Sequence, residues 1–488
     1  MTLKRNLLYN FVLSFSQIAF PLISIPYVSR VLDPSGIGRV SFIDSMTYYF
    51  IVIAEFGIVT YGIREISRKK ARNEELRTIV SELFSVHLFS SCISSLLYMA
   101  AIALLYPKVG DIRLILFSFS FLLVNSFACE WYFWGTEQFK YITIRSLITR
   151  ILGLVSIFLL IQQPKDYVWY YAIIAGTAIL NLVWNVLTLR KDVDVRIRKP
   201  QWKKYWTVLK ITYQISLVYS IVLMLDNVFL QLLSTSAAVA YYAYSAKIVR
   251  MAGALVTDSL LVFYPRTVSL VHSNDGNDVK KVILNTSHFI ILTTIPMAAG
   301  IYLLSEKLTK AYFGEQFMPV VTNLKILAIY PFVKAYSLFL NKQMLMPYNK
   351  EKIVLNGLWI GASTFIAATV PLSFYFGDKG TSTAVIISEI SVLLYYIVYL
   401  KKFENQLKLT EISVLLQAVA GSVLFFPLVY ILNVIIEHPV LNLVVVSVSC
   451  VIFYFIFLFF IMKNQMIISL VHSIKATLTI SGSETKKA

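Results

Sequence analysis

Fourteen blocks of about twenty mostly apolar residues succeed one another along this chain, joined by connections no longer than about twenty residues. A helix rises 1.5 Å per residue, so such a block crosses a hydrocarbon core about 30 Å thick. Inside that core only the chain itself can satisfy backbone N–H and C=O groups, which makes a helix the form the block takes. The fold class is therefore an all-α polytopic membrane protein of about fourteen transmembrane helices. Composition agrees, with 58% hydrophobic residues, 14% charged residues and a mean hydropathy of +0.71. A soluble chain of this length carries more charge.

The blocks run from 7–28 and 41–63 through 113–134, 319–341, 353–376 and 380–400 to 412–434 and 440–462. Lys4 and Arg5 precede the first, as in a signal peptide. The run continues through Pro21 and Pro26 with no small-x-small cleavage pattern, so it reads as a span. The net charge of +18 does not indicate nucleic acid. With both termini cytoplasmic, 32 of the 44 Lys and Arg fall in alternate, cytoplasmic segments, as the positive-inside rule requires. This bias places the basic loops and both termini on the cytoplasmic side of a membrane. Three cysteines and five histidines show no metal or disulfide spacing, and no cofactor motif is present.

The most basic connection, Arg190–Lys210, carries Trp202 and Trp206 as an amphipathic stretch and separates two groups of six spans. It divides the chain into 1–195 (spans one to six), 196–408 (linker and spans seven to twelve) and 409–488 (two uncharged peripheral spans and a polar tail from Ser481). The expected arrangement is two six-helix lobes around a central cavity plus two C-terminal helices. A slide of 201 residues places Leu32 on Leu233 and Ser35 on Ser236, a weak match of the kind parallel six-span repeats leave.

Charge inside apolar blocks faces a bundle interior or a water-filled path. Asp44 and Glu55 are eleven residues apart, hence on one face of span two. In span one Asn6, Asn10, Ser14, Gln17, Pro21 and Ser24 recur at steps of three and four and form a polar stripe, with Arg30 at its end. The stripe reads as cavity lining; singly, each residue would be an interhelical hydrogen bond. Span eight carries Lys247, Arg250 and Asp258 on one face, span seven Asp226-Asn227, span ten Lys334 and span twelve Glu389. Arg30, Lys247, Arg250 and Lys334 are the candidate anion-binding cations. Glu55, Asp226, Asp258 and Glu389 are the candidate ion-coupling carboxyls. The alternative is that these charges pair with one another for structure. The basic segment 64–82 reads as a topology determinant that can also meet lipid headgroups.

The string Glu130–Phe139, EWYFWGTEQF, reads singly as interfacial tryptophans, Trp131 and Trp134. Together with RVLDPSGIGR and DNVFLQLLSTSAAVAYYAYSAKI, in this order and spacing, it resembles the oligosaccharide flippases. These are the O-antigen and polysaccharide-unit translocases of the multidrug/oligosaccharidyl-lipid/polysaccharide exporter superfamily. The resemblance implies a transporter rather than an enzyme, with a polyprenyl-pyrophosphate-linked glycan as substrate. It implies alternating access as the mechanism, and membrane lipids and polysaccharide polymerase machinery as partners. The rivals are a cation-coupled multidrug exporter of the same superfamily and a multispan polysaccharide polymerase or ligase. The first would place fewer cations toward its cavity, and the second would carry a large outer loop. Without a P-loop, ATP does not supply the driving force within this chain.

Overall fold

The computed structural model describes residues 3–272, 276–403, 410–436 and 438–469; the tail from Ser481 lies outside them. Among the described residues every regular element is helical. The first are α1 (Leu3–Val31), α2 (Pro34–Glu55), α3 (Ile58–Ala71), α4 (Arg77–Val109), α5 (Ile112–Phe127), α6 (Glu130–Gly135), α7 (Phe139–Leu160), α8 (Tyr167–Asp192) and α9 (Trp202–Leu233). There follow α10 (Ser236–His272), α11 (Gly276–Leu308), α12 (Val320–Leu327), α13 (Tyr330–Phe339), α14 (Glu351–Phe403), α15 (Ile412–Val423), α16 (Phe425–Ile435) and α17 (Pro439–Ile456).

Among the described residues eleven stretches are long and apolar enough to cross a membrane by length and composition. One of these, α14, is 53 residues long with Gly377 at φ 58°, ψ −130°, and is a helical hairpin. Ser373 bonds Thr381 at 2.7 Å, Ser388 donates to the Gly361 carbonyl, and Tyr396 donates to Val354, so the two arms run antiparallel. Gly380 has no room for a Cβ, which would lie 1.9 Å from the Leu372 carbonyl oxygen. With α10, charged at Lys247, Arg250 and Asp258, and the segmented run from α12 to residue 348, the described residues hold about fourteen spans.

Three expected spans are interrupted. Span two stops at Phe56 and Gly57, both left-handed at φ 50° and 76°. A Cβ on Gly57 would crowd the Tyr213 backbone. Phe56 carries a left-handed cost of about 1–2 kcal/mol, offset by packing on Trp202, Trp206 and Tyr213. Trp202 and Trp206 lie in the first turns of α9, where Tyr205 and Leu209 are buried and Trp206 is exposed. Span four breaks at Cys129 (φ 45°) before α6. Span ten breaks between α12 and α13 and ends in a π-helical turn, Leu340–Leu345.

Asp33 caps α2, accepting from Ser35 N at 3.0 Å, and Pro34 occupies the first turn, where no N–H is needed. Thr235 does the same for α10, accepting from Ala238 N. The two caps are 202 residues apart, against the 201 of the sequence slide. Gly38 allows the two turns to meet: a Cβ there would fall 1.6 Å from the Ser236 carbonyl oxygen.

The chain forms two compact units, 1–244 with 312–319 and 358–388, and 245–311 with 320–357 and 389–488. In the first, α2 packs on α4, α5 and α9, and α1 packs on α7. One of its cores gathers Ile58, Ile66, Trp131, Phe133, Tyr205 and Leu209. Trp131 is 1% exposed, not interfacial, because Gly62 leaves room for its ring. The linker is no loose tether. Residues 193–201 run non-helically along α4, where Arg196 N donates to Ser81 Oγ at 3.1 Å and Arg198 N to Ser85 Oγ at 2.8 Å. In the second unit α11 is central, packed against α12, α13, α15 and α17.

Candidate functional site

In α1, Pro21 and Pro26 supply no N–H, so the carbonyls four residues earlier lose their helical donors. For Leu22 the replacement is the Tyr312 hydroxyl, which donates at 3.2 Å and also reaches the Pro21 carbonyl at 3.3 Å. Gln316 Nε2 donates to the Ser29 carbonyl, and Arg30 Nη1 donates to the carbonyls of Pro26 (2.8 Å) and Tyr312 (3.5 Å). Segment 312–317 is thus bound to the end of α1, with Arg30 exposed beside it. Asn10, Ser14 and Gln17 are exposed on α1, while Leu13, Ser16, Ile25 and Val28 form its buried side. Of the stripe's first member, Asn6, the side chain lies outside the description.

The other candidate cations belong to the second unit. α10 is unbroken over Lys247, Arg250 and Asp258, so they share a helix face; Lys247 and Asp258 are exposed and Arg250 half-buried. Lys334 and Glu389, to which the sequence gives different roles, form one ion pair at 2.7 Å. Their side chains are 18% and 5% exposed.

Among the remaining carboxyls, Asp226 is wholly buried in the first unit. Its Oδ2 accepts from the Tyr242 hydroxyl and its Oδ1 from Asn227 N, each at 2.7 Å. Asn227 in turn donates to Ser45 Oγ at 2.8 Å, which ties α9 to α2. Asp44 is half-buried on α2, and Glu55, also half-buried, ends that helix one residue before its break.

Arg145 was not among the sequence candidates. It is 3% exposed and pairs with Glu130 at 2.7 Å. It also donates to Asn185 Oδ1 and lies 5.8 Å from the Tyr141 ring centroid. Asn185 closes the cluster by donating to the Ala128 carbonyl at 2.7 Å. The available signal was an arginine at the start of an apolar block, fifteen residues after Glu130 of the EWYFWG string.

About fourteen membrane-crossing helical segments among the described residues, with charge held at depth, suit a multi-pass transporter. The chain belongs to the polysaccharide biosynthesis protein family, which it matches over residues 3–271. It is 24% identical over 404 residues to a Shigella dysenteriae protein provisionally named an O-antigen transporter, covering 80% of this chain and 98% of that one. An Escherichia coli K12 protein of the same provisional name is 23% identical, with 82% and 97% covered. In structure the chain resembles the lipid II flippase MurJ in its inward closed conformation, with TM-score 0.70 and 15% identity over 93% of this chain and 99% of MurJ. It also resembles an inward-facing MATE multidrug resistance transporter of the MOP superfamily, with TM-score 0.63 and 12% identity over 79% and 95%. The fold is that of this superfamily, as the motif resemblance implied.

Proposed function

We propose that the chain is a flippase that moves polyprenyl-pyrophosphate-linked oligosaccharide units from the inner to the outer leaflet of the bacterial cytoplasmic membrane. The product feeds O-antigen or another surface polysaccharide, and polymerase machinery is the partner that receives it. The observation that carries this reading is the family match over residues 3–271, on a fold shared with a lipid flippase. A diphosphate and a hydrated glycan cannot enter hydrocarbon, whereas the polyprenyl tail stays in it. Lobes 1–195 and 196–408, with 409–488 outside them, alternate access to the two sides. Both termini are cytoplasmic.

Arg30, Lys247, Arg250 and Lys334 hold the diphosphate through charge-assisted hydrogen bonds. Asn10, Ser14 and Gln17 line the glycan path, a role their exposure on α1 suits. Glu55, Asp226, Asp258 and Glu389 carry the coupling ion. Export of the glycan by Arg30→Ala and Arg250→Ala, measured against membrane abundance, tests the site. Loss of one contact lowers substrate binding about ten- to a hundredfold. Normal export from both variants at normal abundance would remove these residues from the site.

A further inference from the structure

A cavity of about 550 Å³ lies between the end of α3, the α6–α7 turn, α7 and α8, within the first unit and apart from every residue given a transport role above. Lys70, Lys140 and Arg145 line it. Lys70 spends one ammonium hydrogen on the Thr136 carbonyl and keeps two. Lys140 is exposed and forms no ion pair or hydrogen bond among the described residues. Arg145 commits its two terminal nitrogens to Asn185 and Glu130, yet its buried Nε has no partner. Lys70 and Lys140 are therefore the wall donors a ligand can reach, with Arg145 buried beside them. The first turn of α7 adds to this: its N-cap Gln138 makes no side-chain cap, and Gln138, Lys140 and Tyr141 all line the cavity.

The opposite wall is apolar. Ile144 and Trp184 line it, and the same two helices present Ile148, Ile151, Leu180 and Leu187 outward. A cationic end joined to an apolar wall at the edge of two spans has the shape of a lipid site rather than a soluble-anion site. Charge sets the class of headgroup. Glu130 matches Arg145, and Glu137, held at the rim in a left-handed turn (φ 58°), offsets one of the two lysines. Asp192, which accepts from the lining Gln138 at 2.9 Å, lowers the local charge further, so the site suits a singly charged phosphodiester and not a diphosphate.

We propose that this cavity binds the phosphodiester headgroup of an anionic phospholipid, with an acyl chain along Ile144 and Trp184. The leaflet is the cytoplasmic one under the orientation proposed above; the binding itself does not depend on that orientation or on glycan transport. The test is native mass spectrometry of the full chain in neutral detergent, titrated with phosphatidylglycerol, phosphatidylcholine or inorganic pyrophosphate. The wild type is expected to retain phosphatidylglycerol at least about tenfold better than phosphatidylcholine. Lys70→Gln with Lys140→Gln should remove that preference and Lys70→Arg with Lys140→Arg should restore it. Lys199→Gln with Lys203→Gln, the same charge loss on exposed residues, should leave it intact. Thermal unfolding of each variant identifies any that fails to fold, and the arginine pair then decides the matter. Equal retention of the two lipids, an unchanged preference in the glutamine pair, or displacement of phosphatidylglycerol by pyrophosphate would each overturn the proposal.

Discussion

Glu130–Arg145 and Lys334–Glu389 are both ion pairs of 2.7 Å within membrane-crossing segments, but they are built in opposite senses. In the first the cation is deep, with Arg145 3% exposed and Glu130 49%. In the second the carboxylate is the deeper member, Glu389 at 5% against 18% for Lys334. Removing the shallower partner strands the deeper charge, and what happens next depends on the other contacts of that charge. Arg145 keeps Asn185 and the face of Tyr141. For Glu389 the hydrogen bond seen is the one from Lys334. Equal bond lengths therefore conceal unequal dependence on the partner.

The largest effect is expected from Lys334→Ala, which leaves a buried carboxylate without its cation at a cost of about 3–5 kcal/mol. Thermal unfolding in detergent, read with membrane abundance, should show a severe loss of folded protein. Combining Lys334→Met with Glu389→Leu should recover most of that stability, since a buried pair replaced by apolar groups is often neutral. It should leave export impaired, because Lys334 is also a proposed substrate cation. If the double variant is as unstable as Lys334→Ala, charge is not what the pair contributes.

A smaller loss, about 1–3 kcal/mol, is expected for Glu130→Ala, because Arg145 retains neutral acceptors. A loss as large as that of Lys334→Ala would break the contrast. The smallest effect belongs to Glu74, outside the spans and paired with Lys69 at 2.6 Å. The Lys69 hydrogen bond holds its carboxyl below the ordinary 4.5. A depressed carboxyl contributes stability above its unfolded value and loses it as pH falls through the folded one. Glu74→Gln should therefore lower the unfolding temperature at pH 7, and only slightly, because the pair is exposed to solvent. Any difference from the wild type should vanish in acid below the folded value.

The count of spans was legible because hydrophobic length is a local property: α14 reads as two blocks since Gly377 and its polar neighbours interrupt the apolar run. The breaks at Phe56 and Cys129 were not, because neither residue favours a left-handed backbone and only its packing holds it there. Trp131 read as interfacial because the space that buries it is made by Gly62, a residue on another helix. Arg145 is hidden from a sequence reading for the same kind of reason. Its burial is settled by Asn185 on α8, forty positions away, and no local window contains both. Of the charges that were found, the sequence could place Lys334 and Glu389 within spans but could not show that they meet.

The linker has a mechanical consequence. An extended chain advances about 3.3 Å per residue and has little further length to give. Residues 193–201 are already drawn out along α4 and fastened there through Ser81 and Ser85, and Lys204 is bound to Glu82 at 2.6 Å just beyond them. The joint thus behaves as a taut strap instead of a slack cord. Any swing of α9 away from α4, as alternating lobes would require, must first unfasten those bonds.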